Sequence, residues 1–281
     1  MSDETLKAGV IGYPIVHSRS PLIHNYWITL HGLDAVYDAR AVEPENLEPL
    51  LKALGDDGYR GINVTVPHKE AVARLVDHID PFAERVGAVN TVIVRDDGTL
   101  EGRNTDGFGF IENIKQGAPD WDAAKPAAVI GAGGAARAIL AALLDAGVPE
   151  IRLANRSFDK AQKLAEDLEG PIVVRPFEDR AACLTDAGLA VNTTTLGMEG
   201  SPPLELDLST LADGAVATDI VYTPLETPFL KQARAAGFHT VDGLGMLLHQ
   251  ARPGFAAWFG IEPKVTPILR ALVVNDIETK G

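Results

Sequence analysis

The segment Ala127-Ala128-Val129-Ile130-Gly131-Ala132-Gly133-Gly134-Ala135-Ala136 decides how this chain is read. Four apolar residues make a short buried-strand pattern, a glycine-rich turn follows at once, and an alanine-rich run of helical period continues to residue 146. Residues 131–136 fit G-x-G-x-x-A in the strand, turn and helix context that a dinucleotide loop requires. Gly131 would make the tight turn, and Gly133 would let the backbone approach a pyrophosphate. The helix N-terminus, opened by Gly134 and Ala135 after Ala132, would supply unpaired N–H groups and a favourable dipole. The plainer alternative is a turn whose glycines serve the backbone alone.

Downstream, strand patterns at 151–154, 172–175, 189–192 and 217–221 alternate with helical ones at 158–168 and 227–236. That alternation reads as one doubly wound α/β domain. Upstream, strands are expected at 8–11, 35–42 and 61–66. A helix opens at Ser20-Pro21 and runs to about residue 31, with Ser20 as N-cap and Pro21 at the first helical position. A second helix is expected from Lys69 to about Ile79. Residues 90–94 and 99–101, joined by Asp96-Asp97-Gly98, read as a strand, turn and return strand. A helix at 106–115 leads into Gln116-Gly117-Ala118-Pro119, which reads as a domain boundary. The tail from Gly243 is helical and apolar-periodic, and its pattern does not choose a domain to pack on.

Composition narrows the function classes. At about 150 residues per domain, 281 residues allow two domains. A formal charge of -14 argues against a nucleic-acid partner, because phosphate neutralisation needs a basic surface. It also means that an anionic ligand must be held by local donors. A single cysteine, Cys183, excludes an intramolecular disulfide and a thiolate-rich zinc site, and fits a reducing, cytoplasmic setting. The amino terminus lacks the pattern of a signal peptide, and no stretch approaches the ~20 apolar residues of a membrane span. Neither His-Glu-x-x-His, Gly-x-Ser-x-Gly nor Gly-x-x-x-x-Gly-Lys occurs, so no metal is expected and hydrolase and phosphate-loop readings fall away.

The end of the strand at 151–154 tests which dinucleotide is expected. An NAD site wants an acidic residue there for the ribose hydroxyls, whereas a 2′-phosphate wants a cation. Here stand Asn155-Arg156-Ser157, with Lys160 one turn along the next helix. Arginine can fork onto a phosphate, serine can donate a hydroxyl and lysine adds a point charge, so NADP is favoured.

In the first half, three clusters combine hydroxyls, amides and charges beside strand ends: residues 12–21, 63–69 and 104–107. Ser18 and Ser20 lie two apart before a helix, where both hydroxyls can converge on a carboxylate; the alternative is a cap and a turn residue. Asn63 and Thr65 share one face of an otherwise apolar strand, and Lys69 follows at its carboxyl end. Taken singly, Lys69 reads as a solvated helix start and Asp106 as an N-cap.

Jointly these residues resemble the shikimate dehydrogenase family. The likeness covers essentially the whole chain. It rests on Gly12-Tyr13-Pro14 with His17-Ser18-Arg19-Ser20-Pro21 and His24-Asn25, on Asn63 through Lys69, on Gly87-Ala88-Val89-Asn90-Thr91, and on Asn104-Thr105-Asp106-Gly107. It continues through residues 131–135, Asn155-Arg156, Asp219-Ile220-Val221-Tyr222, and Gly243-Leu244-Gly245-Met246 followed by Gln250.

The resemblance implies an α/β fold of two domains with the active site in the cleft between them. A substrate-binding catalytic domain at 1–107, completed by C-terminal helices at 243–281, would accompany a Rossmann-like NADP-binding domain at 108–242. It implies Ser18, Ser20 and Tyr222 at a substrate carboxylate and Thr65, Asn90, Asp106 and Gln250 at ring hydroxyls. It makes Lys69 and Asp106 the catalytic pair, and places Gly243 and Met246 at the nicotinamide end. The implied reaction is reversible, NADPH-dependent reduction of 3-dehydroshikimate to shikimate in aromatic amino-acid biosynthesis, by a cytoplasmic monomer or homodimer. A related quinate/shikimate dehydrogenase using NAD or NADP, and a non-catalytic NADP-binding sensor, are the alternatives. Hydride delivery to a ketone leaves a developing alkoxide that needs a positive donor and a proton source, which Lys69 supplies. The microscopic base stays open within the pair. Two departures from the family pattern stand out: Thr193 stands where alanine is usual in the run Asn192-Thr193-Thr194, a small polar change, and Ser157 and Lys160 replace the usual threonine and arginine while keeping the donor type.

Overall fold

The computed structural model describes residues 5–280. They form two compact units, one made of the residues through Thr105 together with Gln250–Lys280, the other of Asp106–His249.

In the first unit the elements run β1 (Leu6–Gly12), α1 (Ser20–Leu30), β2 (Ala35–Ala41), α2 (Leu47–Ala53), β3 (Tyr59–Val64), α3 (Lys69–Ala73), β4 (His78–Ile79), α4 (Pro81–Val86), β5 (Thr91–Val94) and β6 (Leu100–Arg103). The sheet order is β2-β1-β3-β5-β6-β4. Pairing is parallel from β2 through β3, and β5 runs antiparallel to both β3 and β6. Side chains alternate across a strand, so Ile62 and Val64 of β3 enter an aliphatic core with Leu47, Leu51 and Val72, while Asn63 turns to the other face. That face is aromatic: His24 and Trp27 of α1 and Tyr37 of β2 pack with Phe255 and Trp258 of the carboxyl-terminal stretch.

Two features fasten that stretch to the first unit. The Trp258 indole donates to the Val92 carbonyl at 3.0 Å, and Trp27 donates to the Lys264 carbonyl at 3.1 Å. The first contact depends on Gly61, whose φ is +155° and where a Cβ would clash with both the Trp258 indole and the Val92 carbonyl.

The second unit contains α5 (Asp106–Gly117), β7 (Ala127–Ile130), α6 (Gly134–Asp145), β8 (Ile151–Asn155), α7 (Phe158–Leu168), β9 (Ile172–Pro176), β10 (Leu189–Asn192), β11 (Val216–Asp219), α8 (Pro228–Ala235), β12 (His239–Val241) and the start of α9 (Leu244–Phe259). The last helix, α10 (Pro267–Lys280), belongs to the first unit. The second sheet is wholly parallel in the order β12-β11-β10-β7-β8-β9. All four residues of β7, β10 and β11 are buried, as expected of strands covered on both faces. The chain leaves β7 toward β8 and β9 and resumes on the other side at β10. The carboxyl ends of β7 and β10 are therefore the topological switch point, where open α/β sheets bind ligands.

Two local expectations need correction. Ser20 is not the N-cap of α1: Arg19 holds that position without a side-chain cap bond, Ser20 is the first helical residue, and its N–H meets Ser18 Oγ at 3.4 Å. The turn closes one residue early because Arg19 already has helical dihedrals, φ -93° and ψ -2°. The helix expected from Lys69 to about Ile79 stops at Ala73. Residues 78–79 pair with β6 instead, the Asp80 N–H donates to the Gly102 carbonyl at 2.9 Å, and Asp80 caps α4 by accepting from the Ala83 N–H at 2.8 Å. Sheet pairing and a new cap outweigh helix propensity over those residues.

Candidate active site

In the first unit the candidate residues gather at the carboxyl ends of β1 and β3. Past β3, the Thr65 N–H donates to the Ile11 carbonyl at 2.9 Å, and the Tyr13 N–H donates to the Val66 carbonyl at 3.0 Å. Buried His68 donates from Nε2 to the Val42 carbonyl at 2.7 Å, because a carbonyl can only accept. Lys69, the first residue of α3, has its own carbonyl fixed by the Val89 N–H at 2.9 Å. The ammonium is thus carried on a backbone anchored from both sides.

Asn90 is the next anchor. Its amide nitrogen donates to the Thr105 hydroxyl at 3.0 Å, and its carbonyl oxygen accepts from the Thr105 N–H at 2.9 Å and the Thr91 hydroxyl at 3.0 Å. Asp106, half-buried, follows Thr105 as the first residue of α5. Val89 and Asn90 therefore secure the backbone at Lys69 and at the residue before Asp106 respectively.

Asn63 joins this network as well. It accepts from the Tyr37 hydroxyl at 2.6 Å and donates to the Asn90 carbonyl and the Thr91 hydroxyl, each at 3.2 Å. Burial pushes the Tyr37 hydroxyl well above its usual titration range, only partly countered by its hydrogen bond with Ser20, so it stays a neutral donor. Ser20 is 8% exposed, whereas Ser18 is half-buried. His24 stacks on the Tyr37 ring at 4.0 Å between centroids, and burial lowers its pKa to about 3.

In the second unit the glycine loop lies at the switch point. The Gly131 φ of +113° is a backbone that favours glycine, and a Cβ there would sit 2.6 Å from the Thr193 hydroxyl. A Cβ at Gly133 or Gly134 would meet nothing within 4 Å, so that face of the loop is open. The loop leads into the 12-residue α6, whose first turn holds no acidic side chain. The Ala132 N–H is not available to a ligand in this arrangement, since it donates to Asn155 Oδ1 at 3.2 Å. Asn155 also donates to the Ser157 carbonyl at 2.8 Å, which makes it a brace between the end of β8 and the loop. Arg156, Ser157 and Lys160 are exposed, and neither cation takes an ion pair among the described residues. An open glycine loop with two uncommitted cations beside it, and no carboxylate at the end of β8, fits a 2′-phosphorylated dinucleotide.

The ends of β10 and β11 hold a network that was not anticipated. Asp219 is fully buried and accepts from Asn192 at 3.0 Å, from the Val221 N–H at 2.9 Å and from the Thr227 hydroxyl at 2.7 Å. Burial raises its pKa, opposed by these three donors. Asn192 in turn accepts from the Thr194 N–H and hydroxyl at 3.0 and 2.7 Å. Together they set the loop after β10 and the chain leading to Tyr222. Gly243 lies against the backbone of Ile220 and Val221, Met246 follows in the first turn of α9, and Gln250 is the first residue of α9 in the other unit. In the sequence Asn192 and Asp219 close apolar strands and stand in family-like runs, with nothing local to pair the two. Cys183 is buried, with its thiol pushed up to about 11 by desolvation, as an inert core residue would be. Among the described residues no group of His, Cys, Asp or Glu is arranged to hold a metal ion, and no helix is long and apolar enough to cross a membrane.

The chain is similar to known proteins over almost its full length. Three family descriptions match: "Shikimate dehydrogenase substrate binding domain" over residues 10–92, "Shikimate / quinate 5-dehydrogenase" over 114–197 and "Shikimate 5'-dehydrogenase C-terminal domain" over 243–273. A shikimate dehydrogenase (NADP(+)) of Paramagnetospirillum magneticum is 59% identical over 276 residues, covering 98% of this chain and all of that protein. The shikimate 5-dehydrogenase of Thermus thermophilus, solved with NADP(H) and shikimate, superposes with a TM-score of 0.83 at 36% identity over 98% of this chain and 99% of the other. A quinate dehydrogenase from Corynebacterium glutamicum in complex with NAD gives 0.89 at 32% identity, covering 96% and 99%.

Proposed function

The chain belongs to the shikimate dehydrogenase family, and from that premise we propose that it is an oxidoreductase that interconverts 3-dehydroshikimate and shikimate with NADP as redox partner. The observation that carries the reading is the end of β8. Arg156 and Lys160 stand exposed beside an open glycine loop, and the position that would select NAD holds Asn155, whose side chain is already engaged by the loop. Arg156 with Ser157 and Lys160 would hold the 2′-phosphate, and the first-turn N–H groups from Gly133 to Ala135 would face the pyrophosphate. Gly243 and Met246 are assigned to the nicotinamide end.

When bound, NADPH supplies the hydride. The protein handles the substrate's charges and proton. Ser18, Ser20 and Tyr222 are assigned to the carboxylate as neutral donors, which suits an anion held on a chain of net charge -14. Thr65, Asn90, Asp106 and Gln250 are assigned to the ring hydroxyls. Lys69 is assigned to the reacting oxygen, where its ammonium stabilises the developing alkoxide and donates the proton in reduction. Asp106 shares the proton with it in the reverse direction. The Lys69 backbone is anchored through Val89, and the residue before Asp106 through Asn90. The molecule is proposed to act as a monomer or homodimer, on a small-molecule substrate.

Absorbance of the reduced nicotinamide, followed with shikimate or quinate and NADP or NAD in all four combinations, tests this. Rapid turnover only with shikimate and NADP is expected. Comparable turnover with quinate and NAD would move the protein to the branch of the Corynebacterium neighbour. Binding of NADP without turnover in any mixture would make it a sensor.

A further inference from the structure

We infer that Thr193 is a positioning residue for the dinucleotide loop, an inference that rests on the NADP reading above. The Thr193 side chain is buried, and its hydroxyl lies 2.9 Å from the Ile130 carbonyl and 3.1 Å from the Gly131 carbonyl. A hydroxyl has one proton, so these are the two arms of a shared hydrogen bond. The Thr193 N–H donates to the Ile130 carbonyl as well, at 2.9 Å. The carbonyls so held are the last of β7 and the first of the turn, and they fix the peptide planes on both sides of Gly131. The hydroxyl can lie here only because residue 131 is glycine, since a Cβ at 131 would sit 2.6 Å from it.

One peptide further on, the Ala132 N–H is held by Asn155. Neighbouring strands thus clamp residues 130–132 from two sides, β10 through Thr193 and β8 through Asn155. The N–H groups of Gly133, Gly134 and Ala135 then keep their direction before any ligand arrives. Pre-organisation of this kind raises affinity by removing the cost of ordering the loop on binding. Thr193 is bonded to carbonyls and not to the nucleotide's distinguishing phosphate, so its effect belongs equally to NADP and NAD.

The test compares the full-length parent with Thr193→Val, which keeps the shape and removes the hydroxyl, and Thr193→Ser, which keeps the hydroxyl. Dissociation constants for NADP and NAD come from titration calorimetry, shikimate KM and kcat from assays at saturating NADP, and folding from circular dichroism melts. Thr193→Val should weaken NADP and NAD by the same factor, roughly three- to tenfold for one hydrogen bond, with shikimate KM unchanged, while Thr193→Ser stays close to the parent. Thr193→Ala serves as the second hydroxyl-free variant should valine prove misfolded. A folded hydroxyl-free variant that binds NADP as the parent does overturns the positioning role. So does a variant that loses NADP affinity but not NAD affinity. A parent that binds neither dinucleotide overturns the NADP reading itself, and the inference with it.

Discussion

The side-chain amide of Asn90 holds Thr105 at two points, donating to its hydroxyl at 3.0 Å and accepting from its backbone N–H at 2.9 Å. Both residues are buried, so neither bond is open to competition from water. The contact fixes where α5 begins and therefore where Asp106 stands. Asn90→Ala should lower kcat/KM for shikimate by roughly a hundredfold by releasing Asp106, and destabilise the protein by about 1–3 kcal/mol through the unpaired Thr105 N–H. Steady-state kinetics and urea denaturation on the same preparation check both parts; an unchanged kcat/KM would detach Asn90 from the site.

Lys69→Ala should reduce kcat by at least about a thousandfold, as loss of both the proton donor and the positive charge at the reacting oxygen would. Its NADP dissociation constant should stay within about twofold of the parent, because Lys69 is assigned only to the substrate. Asp106→Asn should act in the same direction and also raise shikimate KM. A Lys69→Ala enzyme keeping a tenth of the parent rate would remove Lys69 from the chemistry.

Arg156→Asp should weaken NADP far more than NAD, by roughly a hundredfold or more in the ratio of the two, because a carboxylate repels the 2′-phosphate and accepts from ribose hydroxyls. Arg156 is exposed and carries no ion pair among the described residues, so the fold should not change. Equal weakening of both dinucleotides would show that the residue does not read the phosphate.

His24 sets a pH limit on stability. Its pKa is lowered by burial to about 3, so between its ordinary value of 6.5 and 3 the unfolded chain binds a proton that the folded one refuses. Stability rises with pH wherever the unfolded state holds more protons, so this contribution is lost as pH falls from 6.5 toward 3, by about 1.4 kcal/mol per unit at the steepest. His24→Phe, which keeps an aromatic ring against Tyr37, should flatten the acid side of the stability curve. Parallel curves for parent and variant from denaturation at a series of pH values would contradict this.

Gly61→Ala should cost about 3 kcal/mol or more, because the methyl group collides with the Trp258 indole and the Val92 carbonyl that bond each other across it. The measurement is the midpoint of chemical denaturation, and a loss under about 1 kcal/mol would mean that the carboxyl-terminal stretch repacks freely.

The sequence by itself determined what depends on neighbours a few residues apart. The strand, glycine turn and helix from Ala127 to Asp145 stand where apolar period and glycine placement put them, and β7, α7 and β10 have the expected bounds. The cationic end of β8 and the apolar runs of a doubly wound sheet were equally legible, because their chemistry is carried by consecutive residues. What only the tertiary structure decided involves groups distant in the chain. The early end of α3 follows from pairing of residues 78–79 with β6, and no local propensity records a strand partner 23 residues away. Asn63, read in the sequence only as a polar residue sharing a strand face with Thr65, is an internal brace, because Tyr37 and Thr91 reach it from 26 and 28 residues away. The pairs Asn90 with Thr105 and Asn192 with Asp219, and the clamp of Thr193 on Gly131, span 15, 27 and 62 residues. Hydrophobic period and turn chemistry act over one or two turns of chain, whereas a buried donor finds its acceptor only after strand order and packing have brought the two together.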